Sequence, residues 1–102
     1  MAINNTALTA TATSIYTSTG SSAITTIHLC NYTGSTASAN IYAVPSGGTA
    51  GNSNVLYSNV QITAYNTLII YQEKFILDTG DKIYANCDAS NKLTATVSSI
   101  GI

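Results

Sequence analysis

The stretch Leu93-Thr94-Ala95-Thr96-Val97-Ser98 places apolar and hydroxyl side chains in strict alternation. A period of two sends successive side chains to opposite faces of a β-strand, whereas a helix needs apolar residues at a period near 3.6. The same pattern runs through residues 7–16, 23–32 and 38–44. In the second of these, Ile27 and Leu29 share one face while His28, Cys30 and Tyr32 share the other; in the third, Ile41 and Ala43 oppose Tyr42 and Val44. Residues 55–62 are strand-like with a break at Ser58-Asn59, and residues 67–71 are apolar on both faces, as a strand in the middle of a sheet would be. Gly, Asn, Asp and Ser clusters punctuate these stretches at residues 17–22, 33–36, 64–66, 78–81 and 88–92. About eight short strands with turns about every 8–12 residues predict an all-β chain, a single antiparallel β-sandwich of Ig-like or jelly-roll-like form.

Composition narrows the function. Charged residues make up 7% of the chain, against about 25% in ordinary domains. Thr, Ser and Asn take their place, and the strong helix formers Glu, Lys, Gln and Arg are scarce. A net charge of −1 with no Arg lacks the electrostatic footprint of a nucleic-acid binder. The longest apolar runs fall short of the about 18 residues of a spanning helix, so no membrane partner is expected. The start, Met1-Ala2-Ile3-Asn4-Asn5, has neither the basic nor the apolar part of a secretory signal, which predicts synthesis in a cytoplasm. The 102 residues suffice for one core, read as an N-terminal arm over 1–6 followed by the sandwich over 7–102. Cys30 and Cys87 each sit in an apolar alternation and are expected as buried, reduced thiols, with a disulfide between strands as the alternative.

Five of the seven charges fall within residues 73–83: Glu73, Lys74, Asp78, Asp81 and Lys82. There Phe75-Ile76-Leu77 leads into Asp78-Thr79-Gly80-Asp81, where Gly80 supplies a positive φ and the Asp side chains bond back to the turn. Phe75–Gly80 also resembles the active-site signature of aspartic proteases. That family carries much of its fold after the catalytic Asp, whereas 22 residues follow Gly80 here (102 − 80), so the hairpin is the expected reading. His28 and Cys30, two apart on one strand, stand about 6.5–7 Å from each other, beyond a side-chain hydrogen bond. The glycine-rich 47–51 lacks the Gly-Lys-Ser/Thr ending of a phosphate loop, and Asp78, Asp81 and Asp88 lack calcium-loop spacing. The seven Tyr residues suit half-buried strand edges or a subunit interface. Asn4-Asn5-Thr6 and Asn31-Tyr32-Thr33 match the glycosylation sequon. No enzymatic centre, cofactor or metal is expected.

The order of features resembles a group of small virion structural proteins of tailed bacteriophages, those of cyanobacteria and other aquatic bacteria among them. It is carried by Ile15-Tyr16-Thr17, Thr26–Asn31, Tyr42–Ala50, Asn54–Tyr57 and Phe75–Ile83. The resemblance implies a compact β-sandwich that serves as a capsid decoration (cement) protein, or as a tail, baseplate or fibre component with a host-glycan-binding surface. The implied partners are the major capsid protein or other virion subunits, and the symmetric sites of a capsid or tail favour a homo-oligomer of the chain, a trimer first. The implied location is the virion, on its outer surface. Contacts are expected from the arm (Met1, Ala2, Ile3), the 45–54 loop (Pro45, Gly47, Gly48) and the tyrosines Tyr57 and Tyr65.

Overall fold

The structure is a computed structural model and describes residues 2–71 and 75–102. Nine strands form among the described residues: β1 (Ala2–Ala7), β2 (Thr13–Thr17), β3 (Ser22–Asn31), β4 (Ala37–Val44), β5 (Val55–Ile62), β6 (Thr67–Ile70), β7 (Phe75–Leu77), β8 (Lys82–Cys87) and β9 (Leu93–Gly101). They build two antiparallel sheets. One runs β1-β9-β3-β6, with β7 also on β3; the other runs β2-β8-β4-β5. The expected β-sandwich is the fold.

The alternation in the sequence becomes the two faces of each sheet. Ile24, Ile27 and Leu29 of β3 and Leu93, Ala95 and Val97 of β9 point inward, as do Ala39 and Ile41 of β4 and Ile83, Ala85 and Cys87 of β8. Each large aliphatic side chain so removed from water contributes about 1.5–3 kcal/mol. The buried alanines let large residues interdigitate between the sheets.

Four expectations are corrected. The arm expected over residues 1–6 is, from Ala2 onward, a sheet strand paired with β9 from Ala2↔Ser99 to Ala7↔Thr94. The single strand expected over 7–16 is the end of β1, a corner, and β2. At that corner the Leu8 N–H still bonds Leu93 O in the first sheet, while Thr9 O accepts from Cys87 N–H of the second. Buried Leu8 pins the crossing. A period of two is blind to which sheet a strand joins, so the change of sheet leaves no mark in the pattern. β6, expected at the centre of a sheet, lies at an edge. The ten-residue β3 offers a longer edge than β6 can cover, and β6 and β7 line up along it one after the other. Cys30, expected to be buried, is exposed on the outward side of β3; Cys87 is buried on the inward side of β8, and both thiols are free.

Other details stand as expected. The break at Ser58-Asn59 is a bulge, with Asn59 at φ 55° and a register shift against β4. Tyr65 in the 64–66 turn has φ 58°. Of the charged stretch that opens at Glu73, Glu73 and Lys74 lie outside the described residues.

Candidate functional site

One end of the sandwich carries the 45–54 loop, the 78–81 turn and the 18–21 turn. Asp81 joins them. Its Oδ1 accepts from Ser46 N–H (3.0 Å) and its Oδ2 from Asp78 N–H (3.0 Å). Its own carbonyl accepts from Ser18 N–H, and Ser18 O accepts from Gly80 N–H. Gly80 stands at φ 88°, and a Cβ there would lie 2.5 Å from Ser46 Oγ, so glycine is required both by conformation and by contact. The loop is internally bonded as well: Gly48 N–H donates to Pro45 O, Gly51 N–H to Asn54 Oδ1, and Asn54 Nδ2 to Thr49 O. Beside it, Tyr16 Oη donates to Ser22 Oγ at 2.9 Å, and Ser22 Oγ lies 2.8 Å from Ser18 Oγ. The bond with Ser22, seconded by Ser99, holds the Tyr16 hydroxyl below its ordinary pKa. Pro45, Gly47 and Gly48 are exposed here, on a backbone held by the fold.

The opposite end is organised by Asn31, which is fully buried. Its Nδ2 donates to Ser35 O (2.8 Å), Ile62 O (3.0 Å) and Thr63 O (3.3 Å), while its Oδ1 accepts from the N–H and hydroxyl of Thr33. One amide thus ties the β3–β4 turn to the β5–β6 turn. Tyr65 stands at this end, 73% exposed, and its N–H bonds Thr33 O. It is therefore separated from Pro45, Gly47 and Gly48 by the length of the strands. Tyr57 is half-buried: it pairs with inward-facing Ile41 and packs in part against the core. Met1 lies outside the described residues, Ala2 and Ile3 are in β1, and Ile3 is 71% exposed.

The outward faces of the two sheets differ. On the β1-β9-β3 sheet, register aligns Ile76, Ala23 and Ile100 in one row, and Ile69, His28, Thr96 and Asn5 in another. Ile69 and Ile76 are 48% and 65% exposed. Among the described residues this face carries no Asp, Glu, Lys or Arg. The signal for it was in the sequence, since residues 67–71 are apolar on both faces; a strand apolar on both faces at a sheet edge leaves one of them in water. On the other sheet the outward face pairs Tyr42 with Tyr84, beside Asn40 and Asn86, whose amides are bonded (Asn40 Nδ2 to Asn86 Oδ1, 3.0 Å).

Among the described residues the three carboxylates are divided between the two ends of the sandwich. Asp78 and Asp81 are at the loop end, while Asp88 is at the other, where its Oδ1 accepts from Cys87 Sγ (3.2 Å) and its Oδ2 pairs with Lys92 Nζ (3.3 Å). The Cys87 bond, with help from the Ser38 backbone and Lys92, holds the Asp88 carboxyl below its ordinary pKa; burial pushes the Cys87 thiol up. Asp78-Thr79-Gly80-Asp81 forms the expected turn, with Asp81 bonded back to Asp78. Comparison with protein-family models, curated proteins and solved structures gives no match.

Proposed function

We propose that this chain is a non-catalytic structural protein of a tailed-phage virion, a decoration module that docks on the outer capsid surface and stabilises the lattice. The observation that carries the reading is the outward face of the β1-β9-β3 sheet. Among the described residues this face, built of Ile, Thr and Ser with Asn5, His28 and Cys30, carries no Asp, Glu, Lys or Arg, and such a face buries against a partner without stranding a carboxylate or ammonium ion. The loop end adds a second, preorganised surface through Pro45, Gly47 and Gly48, whose backbone is already ordered and loses little entropy on docking. Particles lacking this protein, mixed with purified chain and sedimented, should carry it down. The Ile69→Lys and Ile76→Lys variants should remain in the supernatant with unchanged circular dichroism. Co-sedimentation of both variants at the level of the unmodified chain would exclude this face.

A second reading, a fibre or tail component that binds host glycans, is supported by the Tyr42–Tyr84 pair beside bonded amides, because aromatic rings stack on sugars and amides bond hydroxyls. It predicts hits on a glycan array that are lost with Tyr84→Ala. A blank array would remove it.

A further inference from the structure

The sandwich has four edges, and three are blunted against strand addition. β2 is broken by a register shift between Ser14 and Tyr16. β5 shifts register twice and carries Asn59 at positive φ. The far edge of the first sheet is made, among the described residues, of two short pieces, β6 and β7, of four and three residues. β1 has none of these devices. Ala2-Ile3-Asn4-Asn5-Thr6-Ala7 contains no charge and no Pro, and it pairs with β9 over six residues with no shift. A straight uncharged edge presents a row of unpaired N–H and C=O groups, which is a template for another strand.

The register identifies those groups. Leu8 N–H bonds Leu93 O, and continuing the β1–β9 register places Leu8 opposite Leu93. In an antiparallel ladder, opposed pairs alternate between exchanging both bonds and exchanging none. Thr6 and Asn4 therefore bond β9, and the backbone groups of Ile3, Asn5 and Ala7 point off the free edge. From this we propose that β1 pairs antiparallel with β1 of a second copy, making one continuous sheet across a two-fold axis at Asn5. In that register all three free positions meet free positions: Ile3 faces Ala7 of the second copy, Asn5 faces its own equivalent, and Ala7 faces Ile3. Each of the three pairs exchanges two backbone bonds. A large side chain lies against a small one, and no like charges meet. Thr96 Oγ1 already donates to Asn5 Oδ1 at 2.8 Å, which leaves each Asn5 amide N–H₂ free to donate across the axis. A groove of about 360 Å³ lies between β1 and β2, lined by Ile3, Asn4, Asn5 and Thr6 on the β1 side, so the edge is approachable. With a net charge of −1 per chain, two copies repel weakly. This self-complementarity favours a second copy over an unrelated strand, and the pairing stands independently of any role in a virion.

The test uses the full chain in sedimentation-velocity runs over a range of concentrations. The unmodified chain should be a dimer that dissociates on dilution. Asn5→Pro removes an N–H that points away from β9, so it should give a monomer whose far-ultraviolet circular dichroism is unchanged; Asn5→Lys, which sets like charges face to face, should do the same. Register is tested by cysteine pairing in a Cys30→Ser background. Asn5→Cys places two Cα atoms about 5.5 Å apart, within the about 4.4–6.8 Å of a disulfide, and should give a covalent dimer on mild oxidation. Ile3→Cys alone should not cross-link, whereas Ile3→Cys combined with Ala7→Cys should. A monomer at the highest concentration, a trimer, or a dimer that survives Asn5→Pro would each overturn the proposal.

Discussion

Asn31 shows what a single side chain does in this fold. Its amide is out of water and every polar atom is bonded, so it joins two turns that each pass from one sheet to the other. Removing it leaves the Ile62 carbonyl without its buried partner and the carbonyls of Ser35 and Thr63 and the Thr33 N–H without their part-buried one, a cost of about 1–3 kcal/mol for each group left unsatisfied. Asn31→Leu should therefore lower the stability to urea by about 3 kcal/mol, and Asn31→Asp, which cannot donate, by a similar amount. Urea melts of the two variants beside the parent chain check this; a loss within 0.5 kcal/mol, about the scale of neutral surface changes, would contradict the role. The same burial makes Asn31-Tyr32-Thr33 a sequon only on paper, since the nitrogen that would carry a sugar is enclosed once the chain folds. An Asn inside an apolar alternation and just before a Thr-Gly turn was the available sign of this clamp. The pattern alone reads it as a strand residue, because partners 31 and 32 positions away leave no local trace.

The linked pair Cys87 and Asp88 makes stability depend on pH in opposite directions. Asp88 has a depressed pKa when folded, so its contribution is present above the unfolded carboxylate pKa of about 3.9 and is lost as pH falls through the lower folded value. Its carboxyl is exposed, so the effect is small. The Cys87 thiol has a raised pKa, so its neutral form is kept in the fold while the unfolded chain ionises. Stability is therefore constant below the ordinary thiol value of about 8.5 and falls as pH rises above it. Melting temperature followed from neutral to alkaline pH should drop, and Cys87→Ala should flatten that drop. An unchanged slope would count against Cys87 as the titrating group.

At the scale of elements, the turn at 78–81 was legible from four residues, because a positive φ at Gly and an Asp carboxylate that closes on its own backbone are local chemistry. That Asp81 also holds Ser46 was not legible, since the 45–54 loop reaches it only after folding. Asp81→Ala should cost about 2 kcal/mol, the scale of hydrogen bonds to a charged acceptor, and should raise proteolysis within 46–53 while the strands stay protected. Equal protection of that loop in both chains would mean that its internal bonds suffice. Gly80→Ala meets both a left-handed φ and Ser46, so it should destabilise more than Gly20→Ala, where nothing lies in the way. β6 is the element the sequence misplaces. Leu68 and Ile70 face inward and Ile69 faces out, which in isolation is indistinguishable from a strand covered on both sides. The misplacement is informative, because the residue that looked doubly buried is the one that leaves an apolar patch exposed.

For the whole molecule, strand content and faces follow from the period of two and the low charge, while strand order, the corner at Leu8 and the edge position of β1 depend on pairings between distant residues. The function proposed rests on the same difference between the two sides of the sandwich: an Ile and Thr face that carries no Asp, Glu, Lys or Arg among the described residues, opposite one of tyrosines and amides. A module bound to a head lattice must be abundant, and one confined to a tail or fibre must not. Quantitative mass spectrometry of purified virions, scaled to the major capsid protein, therefore reads the central claim directly. A copy number in proportion to the capsid subunits is the predicted result. Only a few copies per particle would place the chain on a tail or fibre, and absence from the particle would contradict a structural role in the virion.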